Sequence, residues 1–237
     1  MKKLPMLLAV GLLATPMAFA QDGPTIEGNV TLASDYSFRG WSQTQRDPAI
    51  QGGFDLAFAS GFYVGTWGSN VNFGADDEGN VASMEWDLYL GWSGEVADGV
   101  GLDLSFINFE YPGNREALNY QELAASLSFA DFTLGVNYSP EYLAVSDVTF
   151  MYPYADYSYA LGEFVTLDLH LGFNMADSPG GDFFGTEQGD EYIDYSAAVS
   201  FELLGASVSL GVYGTDIDDD GSCGRDCELR PILSLSL

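Results

Sequence analysis

The sequence predicts an all-β protein: a transmembrane antiparallel up-and-down β-barrel of about twelve strands, with both termini on the periplasmic side. Three observations predict this fold: an export signal, hydrophobicity that alternates with a period of two, and connections that alternate between short and long. Successive side chains of a strand point to opposite faces, so the alternation separates an apolar face from a polar one. An even strand number with short periplasmic turns and long outer loops is typical of outer-membrane barrels.

The first twenty residues have the three parts of a secretory signal peptide. A positive start, Met1–Lys3, precedes a short apolar run, Leu4–Leu13, and an A-x-A cleavage signal at Ala18–Ala20. The apolar run is too short for a spanning helix, which needs about 20 apolar residues. We therefore expect a signal peptide at residues 1–20, a barrel at residues 21–237, and a location in the bacterial outer membrane.

Twelve segments carry the alternating pattern. The first runs from Ile26 to Arg39, with Val30 and Leu32 on the apolar face and Glu27 and Thr31 on the polar face. The other eleven predicted strands are Ile50–Ala59, Phe62–Phe73, Met84–Trp92, Val100–Tyr111, Tyr120–Ala130, Phe132–Ser139, Val148–Ala160, Phe164–Asn174, Tyr192–Leu203, Ser207–Gly214 and Glu228–Leu237.

Short and long connections alternate between these strands. The short ones, most of them assisted by glycine, are Ser60–Gly61, Gly94–Gly99, Asp131, Leu161–Glu163 and Leu204–Ala206. The long ones are Gly40–Ala49, Gly74–Ala82, Pro112–Asn119, Pro140–Asp147, Met175–Glu191 and Thr215–Cys227.

A soluble β-sandwich or lipocalin-like barrel also alternates, but its charged face meets water and its apolar face points inward. Aromatic residues near the predicted strand ends favour the membrane barrel instead, because girdles of such residues lie at both membrane interfaces. These pairs are Tyr36 and Phe38, Trp86 and Trp92, and Tyr157 and Tyr159. A soluble surface would also mix charges of both signs, whereas lysine is absent after Lys3.

The overall charge excludes one class of partner. The chain carries 35 Asp and Glu against 7 Lys and Arg, a formal net charge of −28. Nucleic-acid binding requires a basic patch that neutralises phosphates. We therefore expect no nucleic-acid partner, and we expect contact with outer-membrane lipid.

Several stretches resemble the TorF family of porins. The densest similarity lies in Ser34–Thr44, Asp47–Asp55 and Gly61–Val71. It continues in Tyr138–Tyr142, Leu167–Gly172 and Tyr192–Ser196. The resemblance covers essentially the whole chain after the signal and implies an outer-membrane barrel with a pore function. It brings no catalytic residue and no established substrate.

The polar face indicates what the lumen would contain. If the apolar face meets lipid, the following acids point inward: Glu27, Asp35, Asp55, Glu85, Asp87, Asp103, Asp168, Asp194 and Glu202. Against them stand Arg39 and Arg46, near the first outer loop. Rings of acids attract cations and repel anions. The sequence thus predicts a pore lined by these residues that passes small hydrophilic solutes and prefers cations, with no particular oligomeric state.

Two other function classes remain open. Twelve strands enclose less space than those of general porins, so the same residues also fit a closed structural or adhesion-type barrel. A membrane-embedded lipolytic enzyme would need a Ser–His pair with an orienting group. His170 is the only histidine, and nothing in the sequence brings a serine to it, so we expect a hydrogen-bonded lumen residue and no enzyme.

The segment before the last strand carries two further signals. Asp216, Asp218 and Asp220 occupy the first, third and fifth positions of a calcium loop, and glycine follows at the sixth. Position twelve is Cys227 rather than the expected glutamate, so a Ca²⁺ site and a solvated acidic loop both remain open; no other cofactor is expected. Cys223 and Cys227 lie close together in an exported chain, which predicts a disulfide.

Overall fold

The computed structural model describes residues 23–74, 79, 81–113, 118–185, 189–217 and 223–237. The predicted signal peptide lies outside these residues. The strands are β1 Thr25–Ala33, β2 Ser37–Phe38, β3 Trp41–Ser42, β4 Ala49–Ala57, β5 Phe62–Asn70, β6 Met84–Ala97, β7 Val100–Glu110, β8 Tyr120–Phe129, β9 Phe132–Ser139, β10 Thr149–Ala160, β11 Val165–Asp177, β12 Glu191–Leu203, β13 Ala206–Thr215 and β14 Arg230–Ser236.

Twelve of these strands form one closed antiparallel barrel, as the alternation predicted. Each strand from β4 to β14 pairs with the next in the chain, and β1 closes the barrel by pairing with both β4 and β14. The closing register places Thr31 opposite Ser236. Closure pairs the ends of β1 and β14 that would otherwise be sheet edges, along Thr31–Ala33 of β1. The remaining strands, β2 and β3, form a separate small hairpin.

Helical structure is minor. Two short 3₁₀ turns occur, at Tyr142–Ala144 and Gly224–Cys227, both within connections between strands. Within the described part of the chain, no helix has the length and apolarity required to cross a membrane.

The outer face of the barrel is apolar. On β9 the outward side chains are Phe132, Leu134, Val136 and Tyr138, and all four are exposed. At about 3.3 Å per residue, these four span about 20 Å along the strand, close to the apolar band of about 25 Å that membrane barrels present. The band begins and ends on an aromatic side chain, which is typical of interfacial girdles.

The two ends of the barrel differ in their connections. At one end, the short-turn end, lie the start of β1, the end of β14 and the connections at residues 58–61, 98–99, 130–131, 161–164 and 204–205. At the other, the long-loop end, lie the connections at residues 34–48, 71–83, 111–119, 140–148, 178–190 and 216–229. This is the alternation that the sequence predicts. Which end faces the periplasm stays a prediction.

The first predicted strand, Ile26 to Arg39, is wrong in its second half. β1 ends at Ala33, and residues 34–48, which we call the inner hairpin, contain β2 and β3. The alternation continues past Ala33, but the chain leaves the barrel wall there. The Ser42 hydroxyl and the Arg230 guanidinium both donate to the Asp35 carboxylate and hold this segment inside the barrel. Tyr36, expected in an aromatic girdle, is only 2% exposed.

Candidate functional site: the lumen and its inner hairpin

The inner hairpin packs among aromatic side chains in the long-loop half of the barrel. Tyr36 contacts Trp67 edge to face, Phe38 lies against Phe109, and Trp41 lies against Tyr192. The buried cluster around it also contains Tyr111, Tyr120, Tyr142, Phe150, Tyr152 and Phe184. Aromatic side chains from the wall and the hairpin thus narrow the lumen at this end.

Gly40 allows the hairpin to approach the barrel wall at β12 and β13. Its φ of +82° favours glycine. A Cβ atom at this position would lie 2.4 Å from Cγ2 of Thr215 and 2.9 Å from Cβ of Asp194. Both contacts are shorter than packing permits, so only a residue without a side chain fits between the hairpin and strands β12 and β13.

Arg230, at the start of β14, connects the hairpin to the barrel wall through several hydrogen bonds. Its guanidinium donates to the Asp35 carboxylate, to the carbonyl oxygen of Gly40 at 2.8 Å and to the hydroxyl of Ser37 at 3.1 Å. The Asp35 carboxylate also accepts a hydrogen bond from Thr44 at 2.9 Å. This buried ion pair joins the hairpin to a barrel strand, and an unpaired charge at either position would be costly.

Arg39 extends from the hairpin to the far wall. Its Nη1 and Nη2 atoms donate to the two carboxylate oxygens of Glu122 on β8, at 2.8 and 2.7 Å. The side chains are only 4% and 0% exposed. The guanidinium carbon also lies 4.6 Å from the ring centre of Phe38, 4.7 Å from that of Phe150 and 4.5 Å from that of Tyr152.

Arg39 is therefore held as a cation. Burial acts to lower the pKa of its guanidinium, but the Glu122 carboxylate outweighs burial, and the pKa is raised above its ordinary value. The backbone of Arg39 is also fixed in position, because the Tyr192 hydroxyl donates to its carbonyl oxygen at 3.1 Å.

Glu85 and Asp87 lie two residues apart on β6, so both point inward. Glu85 accepts a hydrogen bond from the Tyr36 hydroxyl at 2.9 Å, and Asp87 is fully buried. Burial raises the pKa of the Tyr36 phenol well above its usual value, and the two carboxylates add to the shift. Tyr36 is therefore a neutral donor that ties the hairpin to this acidic pair.

His170 on β11 lies in the lumen between two carboxylates, a hydrogen-bonded position of the kind expected. Its Nδ1 atom is 2.6 Å from Asp156, and its Nε2 atom is 3.1 Å from Asp194 and 2.7 Å from the Tyr152 hydroxyl. Asn174 donates to the second oxygen of Asp194 at 2.7 Å. The network connects β10, β11 and β12 beside the Arg39 side chain.

The short-turn half of the lumen carries partly exposed acids. Asp103 accepts from the Tyr63 hydroxyl at 2.9 Å, and Asp55 accepts from the Tyr89 hydroxyl. Asp168 accepts from two serine hydroxyls at 2.7 and 3.0 Å. These carboxylates retain contact with water, whereas Glu85, Asp87 and Asp194 are buried near the hairpin.

Glu27 and Glu202, also predicted to point into the lumen, are exposed near the short-turn ends of β1 and β12. The other predicted residues lie at the long-loop end. Arg46 is partly exposed, and its Nη2 atom lies 3.2 Å from the Glu228 carboxylate. Asp216 accepts a hydrogen bond from the backbone N–H of Ile193 at 2.7 Å. Asp218 and Asp220 fall outside the described residues, and the described ranges contain no group of three or more His, Cys, Asp or Glu side chains suited to a metal. The calcium interpretation stays a prediction.

Cys223 and Cys227 form a disulfide, with their Cα atoms 5.7 Å apart. The bridge closes the 3₁₀ turn at Gly224–Cys227. Arg225 in this turn donates to the carbonyl oxygen of Gln45 at 2.9 Å, so the turn contacts the inner hairpin from outside.

Three charged lumen residues were not identified from the sequence: Glu122, Asp156 and Arg230. All three have the inward phase of their strands, as their buried state shows. Period-two phasing could have found them, because Glu122 alternates with the outward Leu123 and Arg230 precedes the outward Pro231. The hairpin partners of Glu122 and Arg230 could not be found in this way.

Comparison with known proteins agrees with this architecture. Residues 17–227 match the model of a family described as bacterial protein of unknown function (Gcw_chp). No curated protein matches the sequence at a significant level.

Solved structures are similar in fold but distant in sequence. The NanC porin superposes with a TM-score of 0.53 at 9% identity, over 89% of this chain and 98% of that one. A membrane protein from work on in-meso crystallization gives 0.50 at 7% identity, over 89% and 82%. OccD3 (OpdP) of Pseudomonas aeruginosa gives 0.43 at 12% identity, over 91% and 64%.

Proposed function

We propose that this chain, which belongs to the Gcw_chp family of bacterial proteins of unknown function, is an outer-membrane channel for small hydrophilic solutes that prefers cations. One observation carries the proposal: a closed barrel with an apolar outer face and an acid-rich lumen. The TorF resemblance of the sequence and the fold similarity to the NanC porin support the same function.

The outer face supports the membrane location. Ile26 is 77% exposed and Phe54 67% exposed, and leucine, valine and phenylalanine side chains of the other barrel strands are exposed in the same way. Large exposed apolar surfaces are rare on soluble monomers. Hydrocarbon is the solvent that suits this face, and a closed barrel is one of two structures that satisfy its backbone there.

The distribution of charge supports a preference for cations. Asp55, Asp103 and Asp168 line the short-turn half of the lumen and are partly exposed. The arginines near the hairpin are each neutralised by a carboxylate partner. The mobile ions of the lumen would therefore be cations.

The inner hairpin supports a narrow path and also favours a second candidate, a closed barrel. Its side chains Tyr36 and Arg39 are buried against barrel strands, and Arg230 of β14 binds the hairpin backbone. If this packing is complete, the protein passes no solute and has a structural or adhesive role. A lipolytic role has no support from the contacts of His170, since those partners are Asp156, Asp194 and Tyr152.

The register of β1 and β4 offers a sharp test. Ala33 lies directly opposite Ala49, so the inner hairpin is not needed to connect these strands, and an Asn-Gly turn could replace residues 34–48. Purified protein is incorporated into planar bilayers with and without this replacement. We expect small, discrete conductance steps from the wild type and larger steps from the shortened variant. Silence from both, with the compact barrel intact, would reject the channel and favour the closed barrel.

A further inference from the structure

We propose that the wall residues around Arg39 form a binding site for organic cations that bear a guanidinium or ammonium group, and that Arg39 occupies this site as a tethered ligand. The inference rests on the proposed channel function and names the class of solute that the channel would select. Four wall residues make the site: Glu122, Asn137, Phe150 and Tyr152.

The site has the features of specific guanidinium recognition. The two Nη atoms and the two carboxylate oxygens of Glu122 form parallel hydrogen bonds of 2.8 and 2.7 Å. Such bidentate pairs are among the strongest hydrogen bonds in proteins. The rings of Phe150 and Tyr152 lie 4.7 and 4.5 Å from the guanidinium carbon, within the range of cation–π attraction.

The site belongs to the barrel and not to the hairpin. Glu122 lies on β8, Asn137 on β9 and the two rings on β10, three neighbouring strands of one continuous ladder. Asn137 donates to Oε2 of Glu122 at 2.9 Å and fixes the carboxylate. Within the described residues, only Phe38 and Arg39 reach the site from the hairpin. Displacement of the hairpin would therefore leave the carboxylate and two of the three rings in place.

The wall requires a cation in this position. Glu122 is 1% exposed, and a buried carboxylate without a charge partner is strongly unfavourable. A solute with a planar guanidinium group can supply both hydrogen bonds and the ring contacts when Arg39 is away from the site, whereas the tethered Arg39 excludes it when the hairpin is in place. K⁺ has no N–H groups to donate to the carboxylate, unlike a guanidinium or an ammonium group, and an anion is repelled by the carboxylate.

Arg39→Ala in the full chain tests the site. The variant and the wild type are titrated with methylguanidinium chloride in detergent by isothermal calorimetry, against KCl of equal ionic strength. We expect saturable binding to the variant and none to the wild type, where Arg39 fills the site. Adding Glu122→Gln to the variant should weaken binding about tenfold to a hundredfold, because a charge-assisted pair is lost.

Arg225→Ala is the matched control. It removes a guanidinium that contacts the same hairpin, at the carbonyl oxygen of Gln45, but its side chain is 67% exposed and lies outside the site. We expect no binding to this variant. If Arg39→Ala loses the compact, heat-resistant form of the barrel on electrophoresis, Arg39→Gln is titrated instead, because it keeps a longer side chain without the charge.

Absence of binding to a folded Arg39 variant would overturn the inference, and so would equal binding with and without Glu122→Gln. The titration does not depend on conductance. Binding by a protein that is silent in bilayers would support the site and reject the channel, whereas conductance without binding would reject the site alone.

Discussion

Arg39 on the inner hairpin and Glu122 on β8 are 83 positions apart in the sequence, yet their side chains form two hydrogen bonds of 2.8 and 2.7 Å. Both are buried. The hairpin is therefore part of the lumen and not a surface loop, and it narrows the long-loop half of the lumen.

Disrupting this pair should show strong coupling. Glu122→Gln leaves the buried Arg39 charge without its partner, and removal of one member of such a pair costs about 3–5 kcal/mol. The double variant with Arg39→Ala should cost less than the sum of the two single changes. Urea unfolding in lipid vesicles measures the free energies. Strictly additive effects would show that the pair contributes nothing beyond its separate side chains.

Gly40→Ala should prevent the hairpin from packing against the wall. The new methyl group would meet Thr215 and Asp194, and the positive φ alone costs about 1–3 kcal/mol. We expect a stable barrel with a larger single-channel conductance.

Gly162→Ala is the control for Gly40→Ala. Its φ is +87°, but nothing lies within 4 Å of the added Cβ atom. The backbone cost is therefore similar, while conductance should stay at the wild-type value. Unchanged conductance in Gly40→Ala would contradict the placement of the hairpin tip.

Changing Cys223 and Cys227 together to serine should leave the barrel folded. The bridge closes a turn within one connection at the long-loop end, whereas the barrel is stabilised by its closed hydrogen-bond ladder. The measurement is the compact, heat-resistant form on electrophoresis, with the reduced wild type as a second sample. Loss of that form in the double variant would show that folding depends on the bridge.

The orientation in the membrane can be tested with protease on intact cells. We expect cleavage only in long-loop connections, such as residues 178–190, since the short turns of outer-membrane barrels face the periplasm. Cells with a permeabilised outer membrane give the reference for protection. A cut at residues 161–164 in intact cells would mean the opposite orientation.

The barrel could be predicted from the sequence because each strand is recognised from the alternation of adjacent side chains. Phe54 and Asp55 are adjacent and point to opposite faces, so each position could be assigned from its neighbours. Tight turns such as the one at Gly162 gave the alternation of connections.

The inner hairpin was missed because its pattern is not local. Residues 34–39 continue the alternation of β1, so Asp35 and Arg39 were expected in the lumen, but on a barrel strand. Their partners Arg230 and Glu122, both distant in the chain, hold them in a hairpin inside the barrel. Arg46, like Arg39, was predicted to line the pore, yet it is partly exposed at the long-loop end beside Glu228. Which carboxylate pairs with each arginine depends on which strands the closed barrel brings together.

The zero-current potential of the wild type in a potassium chloride gradient tests the central claim, an acidic lumen open to ions, most directly. The screening length is about 8 Å at physiological salt and about 3 Å at 1 M, so wall charges act across a narrow lumen at low salt and less at high salt. We predict a cation-selective potential that weakens as salt rises and that Asp55→Asn with Asp103→Asn reduces. An anion-selective potential at low salt would contradict the acidic lumen and assign selectivity to Arg39 and Arg46.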